Sequence, residues 1–134
     1  NDPANADPAF DRTKARALLA REPWLDPARL AGSAAHLAAA ETALDWVAGQ
    51  AARGRSRPHG GGIAVDTGGL PTELVRRLLL KLFEQLGASA VPSGPELDRL
   101  MQALAAGGSA TLCGIHARGG REWLLVTEAL RRAD

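Results

Sequence analysis

The sequence predicts an α+β fold, mostly α, with about four helices and a small antiparallel β-hairpin or three-stranded sheet near the C-terminus. Three observations carry this. Apolar residues recur at helical spacing over residues 27–53, 71–86 and 94–105. Near the end, two apolar runs flank Arg118-Gly119-Gly120-Arg121, and Gly-Gly supplies the positive φ of a tight hairpin turn. The second run alternates, with Trp123, Leu125 and Thr127 on one side and Leu124 and Val126 on the other. On the first run Thr111, Cys113 and Ile115 alternate with Leu112, Gly114 and His116, so the whole arm reads as one strand.

The totals exclude several classes. With 134 residues, 46% hydrophobic and 23% charged, the chain has the length and composition of one small folded domain. No apolar run approaches the roughly 20 residues of a membrane span, and no signal peptide opens the chain. The single cysteine, Cys113, excludes an internal disulfide and fits a reducing cytoplasm. Cys113 itself reads as a small buried hydrophobe. A net charge of +1 does not by itself announce nucleic acid.

In chain order, residues 1–9 are polar with two Asp-Pro pairs and read as a linker. The opening, without a methionine, looks like a cut from a longer protein. Asp11 can cap a first helix that Pro23 ends. Residues 1–22 are therefore set apart as a linking segment, and 23–134 as the helical domain. Asp26 caps the next helix, with Pro27 at its first position, where a missing N–H costs nothing. Leu30, Leu37, Leu44 and Ala51 repeat every seven residues, and a helix running to Arg53 would be about 40 Å long at 1.5 Å per residue.

Residues 53–62 carry three arginines, a proline and four glycines, and read as an irregular basic loop. Ile63 to Asp66 is a short strand candidate and Thr67-Gly68-Gly69 a turn. The helix from Pro71 is apolar around most of its circumference and reads as the buried centre, with Gly87 as its stop. Ser93 and Glu96 form a capping box ahead of Leu97, Leu100, Met101 and Leu104, and Gly107-Gly108 ends that helix.

No phosphate loop, nucleophile elbow, HExxH or paired CxxC is present. Cys113 and His116 have ligand-like spacing, but two ligands do not make a zinc site, and no metal is expected. Trp24, Trp46 and Trp123 read as core, with Trp46 off the Leu30/Leu37/Leu44 stripe and the one most apt to meet another element. What stands out chemically is clustered arginine, whose planar fork pairs with phosphate.

Two stretches together resemble the tRNA(Ile)-lysidine synthase family. Residues 2–16, Asp-Pro-Ala-Asn…Phe-Asp-Arg-Thr-Lys-Ala-Arg, look like its Asp-Pro-Ser-Asn…Arg-Asn-x-x-Arg signature, with Ala4 and Thr13 standing where serine and asparagine are usual. Leu70-Pro71…Arg76-Arg77-Leu78-Leu79…Leu86-Gly87, then Gly108-Ser-Ala-Thr-Leu-Cys-Gly114 and Arg118-Gly119-Gly120, are similar to its substrate-specificity domain.

The resemblance implies a cytoplasmic bacterial ligase that uses ATP to adenylate the wobble cytidine of a minor isoleucine tRNA and then attaches lysine. The ATP site of that family needs a Ser-Gly-Gly-x-Asp-Ser loop, which this chain lacks. The stretch would then be a non-catalytic tRNA-recognition part that binds no cofactor of its own. ATP and lysine would be substrates of the full enzyme. Its partners would be the tRNA, its own N-terminal catalytic domain and, in the full-length enzyme, a second copy. The resemblance places Arg12 and Arg16 on the motif arginines, at i, i+4 on one helix face. The remaining RNA-contact candidates are Arg53, Arg55, Arg57, Arg76, Arg77, Arg118 and Arg121. The alternative is a non-catalytic helical protein-interaction or scaffold domain that packs through the alanine-rich stripe, with Leu37, Leu44 and Val47 exposed.

Overall fold

The computed structural model describes residues 12–14, 16–17 and 26–133. The expected linker 1–9, Phe10, the Asp11 cap, the Pro23 stop and Trp24 lie outside these residues. The chain divides into two units, Asn1–Thr42 and Ala43–Asp134.

In the first unit, residues 12–14 and 16–17 are helical and exposed. Helix α1 (Pro27–Arg55) begins as expected, with the Ala28 N–H donating to Asp26 Oδ1 at 3.0 Å. Its seven-residue stripe is exposed at Leu30 and, with 68% of its surface open, at Leu37.

In the second unit α1 ends and an antiparallel five-stranded sheet begins, built from β1 (Ser56–His59), β2 (Gly62–Val65), β3 (Ser109–Leu112), β4 (Ile115–Arg118) and β5 (Trp123–Thr127). The strand order is β1-β2-β5-β4-β3. Two helices, α2 (Thr72–Gln85) and α3 (Gly94–Ala105), separate β2 from β3, and the short α4 (Glu128–Ala133) follows β5. This is α+β and mostly helical, as the sequence predicts, with a larger sheet than the expected hairpin or three strands.

The two extra strands correct two expectations. Residues 53–62 are not an irregular loop: α1 runs through Arg55, and β1 and β2 form a second hairpin about Gly60-Gly61. Both glycines have positive φ, 54° and 80°, the pattern of a type I′ turn whose twist matches the strands. Pro58 is tolerated because ladder pairs alternate. His59 faces Gly62 across the two-residue turn as a hydrogen-bonded pair, so Pro58, opposite Ile63, presents its missing donor to the open edge. Likewise the arm 109–118 is not one strand. It folds at Cys113-Gly114, both at positive φ (51° and 79°), into β3 and β4. Cys113 is therefore a half-buried turn residue rather than a buried strand residue. The strand candidate at Ile63 to Asp66 is β2, an inner strand paired with β1 and β5.

One face of the sheet carries the core. Val65, Ile63, Ile115, Ala117, Trp123 and Leu125 pack with Val75, Leu78, Leu79, Leu82 and Phe83 of α2 and Leu97, Leu100, Met101 and Leu104 of α3. Burying a side chain of this size contributes about 1.5–3 kcal/mol. Trp123 and the α2 centre thus lie where the sequence places them, whereas Trp46 is 66% exposed.

Both helices stop at left-handed glycines. Gly87 (φ 77°) and Gly107 (φ 83°) lead Ala88 and Gly108 to donate to the carbonyls of Phe83 and Ala103. Ser93 and Glu96 form the expected reciprocal capping box. No helix among the described residues is long and apolar enough to cross a membrane.

Candidate nucleic-acid interface

The β-register decides which arginines share a surface. Arg57 pairs with Ala64, Ala64 with Leu124, Leu124 with Arg118 and Arg118 with Ser109. Directly opposed residues point to the same side of a sheet. Arg57 and Arg118 therefore stand in one row on the face opposite the core, three strand spacings or about 14 Å apart. A neighbouring row on the same face holds Val126, His116 and Thr111, the last two in contact through Oγ1 and Nδ1 at 3.1 Å. His59 shares this parity at the β1 end. Arg121 follows in the β4–β5 turn and is exposed. Between the two arginines the row holds Ala64, which is fully buried, and Leu124, which is half-buried, so its middle is apolar.

The arginines differ in how far they are already committed. Arg57 donates to Glu122 Oε1 at 2.7 Å and approaches His59 Nδ1 at 3.5 Å. Arg55 donates to the Gly68 carbonyl at 2.6 Å. Arg53, Arg118 and Arg121 are exposed and form no ion pair among the described residues. Arg53 lies in the last turn of α1 and helps line an open hollow of about 460 Å3 with Ser56, Pro58 and Gln85.

Arg76 and Arg77 are held inside the domain. Arg76 pairs with Glu73 at 3.1 Å and Asp98 at 2.6 Å; Arg77 pairs with Glu73 at 3.2 Å and Asp45 at 3.6 Å and is only 13% exposed. Asp45 also meets Lys81 at 3.6 Å. These ion pairs join α1, α2 and α3 through alternating charges, so the two arginines brace the helical layer rather than joining the sheet row. Arg131 and Arg132 close on Glu128 at 2.8 and 3.2 Å. The hydrogen bond from Arg131 holds the Glu128 carboxyl down at about 2, and the same bond raises Arg131. In the other unit Arg12 and Arg16 are exposed on helical backbone four residues apart.

Sequence reasoning did not set Glu122, His59, His116 or Thr111 beside the arginines. The signal was the two-residue period of β1 and β4, but Pro58 and the Cys113-Gly114 turn interrupt it. Among the described residues no group of three or more His, Cys, Asp or Glu could hold a metal ion. The arrangement offers exposed cations and hydrogen-bonding groups at the ends of one sheet face, the chemistry of phosphate binding.

No family model matches the chain. It is 32% identical over 123 residues to a tRNA(Ile)-lysidine synthase of Zymomonas mobilis, covering 92% of this chain and 37% of that protein. It is 37% identical over 135 aligned positions to the tRNA(Ile)-lysidine synthase of Novosphingobium aromaticivorans, covering 99% and 41%. It is 40% identical over 110 residues to that of Ruegeria pomeroyi, covering 78% and 26%. The chain thus spans about a quarter to two fifths of the length of these curated relatives. With likeness at this level along most of its residues, the chain belongs to the tRNA(Ile)-lysidine synthase family.

Proposed function

We propose that this chain is the tRNA-recognition part of a tRNA(Ile)-lysidine synthase, the cytoplasmic ATP-dependent enzyme that attaches lysine to the wobble cytidine of a minor isoleucine tRNA. The observation that carries the reading is the row of exposed Arg57 and Arg118 on the sheet face opposite the core, with the exposed Arg121 following in the β4–β5 turn. Family membership supplies the class of substrate. The arginines supply the means, since bonds to phosphate fix the register and orientation of an RNA without reading its sequence. Chemistry on the cytidine belongs to the ATP-binding part that the resemblance implies, and this chain contributes grip and orientation.

The test is binding of the chain to a minor isoleucine tRNA transcript as a function of salt. Affinity is expected to fall linearly on a log–log plot, and replacing Arg118 and Arg121 with Gln is expected to reduce the slope by about 0.7–0.9 for each arginine replaced. An affinity indifferent to salt, or a double variant that binds like the parent, overturns the reading. The protein-interaction alternative draws on one observation, the exposed Leu30 and Leu37 of α1. It would be favoured by self-association or partner binding that Leu37→Lys abolishes.

A further inference from the structure

The sequence sets Trp46 apart from the apolar stripe of α1, and the structure leaves it 66% exposed. Within the second unit, α1 turns Ala48, Ala51 and Ala52 toward the core, with Ala48 fully buried. At about 100° per residue, Trp46, Gln50 and Arg53 lie about 140–160° round the helix from Ala48. They share the face turned to solvent, and all three are exposed. Val47, 39% exposed, lies about 100° round from Trp46 and outside this face. Neither Gln50 nor Arg53 has a side-chain hydrogen bond or ion pair among the described residues. Asp45, the acidic neighbour of Trp46, is turned to Arg77 and Lys81, at 3.6 Å from each. Arg53 also lines the hollow of about 460 Å3 that reaches Arg57, the β1 end of the sheet row.

We propose that Trp46 is a stacking platform for one unpaired base of the tRNA, with Arg53 holding a phosphate of the same strand. The inference rests on the tRNA-recognition function proposed above. The make-up of the face selects the occupant. A protein groove takes a helix through apolar anchors at i, i+3, i+4 and i+7. At those steps from Trp46 stand Gly49, Gln50 and Arg53: no side chain, an amide and a cation. An open indole with a cation two turns on, about 10 Å along the axis, instead fits the bases and phosphates of a single strand. Stacking needs an accessible ring and no cavity, and every base has a π-face, so the platform does not choose among bases. A duplex offers no such base, because its rings are already stacked on one another. Gln50, one turn from Trp46, is in reach of the edge of the stacked base. Arg53 and Arg57 then lead the backbone from α1 across the hollow to the sheet row.

The test is tRNA binding by the 134-residue chain and its Trp46 variants across a salt series. Trp46→Ala is expected to weaken binding to a minor isoleucine tRNA transcript about fivefold or more, the loss of one base–aromatic stack. The log–log salt slope should not change, because the indole carries no charge. Trp46→Phe should keep most of the affinity and Trp46→Leu should lose it, since stacking needs a ring and apolar packing does not. Alanine and leucine are good helix formers, so both variants keep α1. Arg53→Gln should lower the slope by about 0.7–0.9. Fluorotryptophan labelling reads the contact directly, the signal that Trp46→Phe removes being that of Trp46. The tRNA and a single-stranded RNA oligonucleotide should each shift it saturably, and a blunt RNA duplex should not.

Undiminished binding by Trp46→Ala overturns the inference. So does a Trp46→Leu variant that binds like the parent, or a duplex that shifts the Trp46 signal as the single strand does. A signal that moves with protein concentration instead of tRNA makes the face a protein contact and overturns it as well. The failures are distinguishable. Salt-sensitive tRNA binding that falls with Arg118→Gln but not with Trp46→Ala sinks the platform alone. A parent chain without salt-sensitive tRNA binding sinks the tRNA reading, and the platform with it.

Discussion

Arg57 and Glu122, 65 residues apart in sequence, form an ion pair of 2.7 Å between β1 and the turn before β5. Glu122 therefore occupies a cation that the sheet row would otherwise present to phosphate. Glu122→Gln is expected to tighten RNA binding and to steepen the salt dependence by about 0.7–0.9 in log–log slope. Both partners are partly open to water, so the pair is worth at most about 1 kcal/mol and the urea midpoint should hardly move. Filter binding across a salt series decides it, and unchanged affinity would mean that Arg57 does not touch RNA.

Gly119 cannot carry a side chain. A Cβ there would lie 2.1 Å from the Leu104 carbonyl oxygen, while the Gly119 N–H donates to the Gly108 carbonyl at 2.8 Å. The β4–β5 turn thus packs backbone to backbone on the end of α3. Gly119→Ala should destabilise the domain by about 1–3 kcal/mol through overpacking. Gly49→Ala is the contrast. It sits inside α1 with only Lys81 Cε in reach, at 4.0 Å, and should stabilise by about 0.5–1 kcal/mol. Paired thermal melts read both signs.

Cys113 holds a left-handed conformation, φ 51°, at a position where glycine has no steric cost. The turn is fixed from outside: its two carbonyls accept from the N–H groups of Ser89 and Glu128, both at 2.9 Å. Cys113→Gly should raise stability by up to about 1 kcal/mol, and Cys113→Val should lower it by more than that, because a β-branched residue resists positive φ. Chemical denaturation of the two variants measures the difference, and equal midpoints would contradict the assignment of strain.

Acid should loosen α4 before the rest of the domain. The Glu128 carboxyl is held down at about 2, against an ordinary value of 4.5, chiefly by the hydrogen bond from Arg131. Folding is therefore favoured by the ionised form above pH 4.5, and that contribution is lost as the pH falls from 4.5 toward 2. Glu128→Gln should remove this part of the acid sensitivity and leave stability above about pH 5 independent of pH in that respect. Amide exchange at Leu130, whose N–H caps onto Thr127 Oγ1 at 3.3 Å, reports the loosening directly. Parallel acid profiles in parent and variant would refute it.

Helix boundaries were legible because their signals are local. Asp26 before Pro27, the Ser93/Glu96 box, Gly87 and Gly107 each satisfy or end a helix through atoms a few residues away. β1 was not legible. Ser-Arg-Pro-His has no apolar period, and it is a strand only because β2, buried along its whole length, supplies a partner. The Cys113 turn was hidden because a non-glycine stands at the first left-handed position, which sequence preference assigns to Asn, Asp or Gly.

By itself, the sequence determined the α+β class, the centrality of α2, the inward side of β5, the family and the stock of arginines. Each follows from short-range chemistry, hydrophobic period or residue identity. Only the tertiary structure decided which arginines act together. Arg76 and Arg77 are adjacent in sequence, yet partners on α1, α2 and α3 hold them within the helical layer. Arg57 and Arg118 are distant in sequence, yet three strand pairings set them in one row. Register is a long-range property fixed by which face each strand buries, so no window of sequence around either arginine contains it.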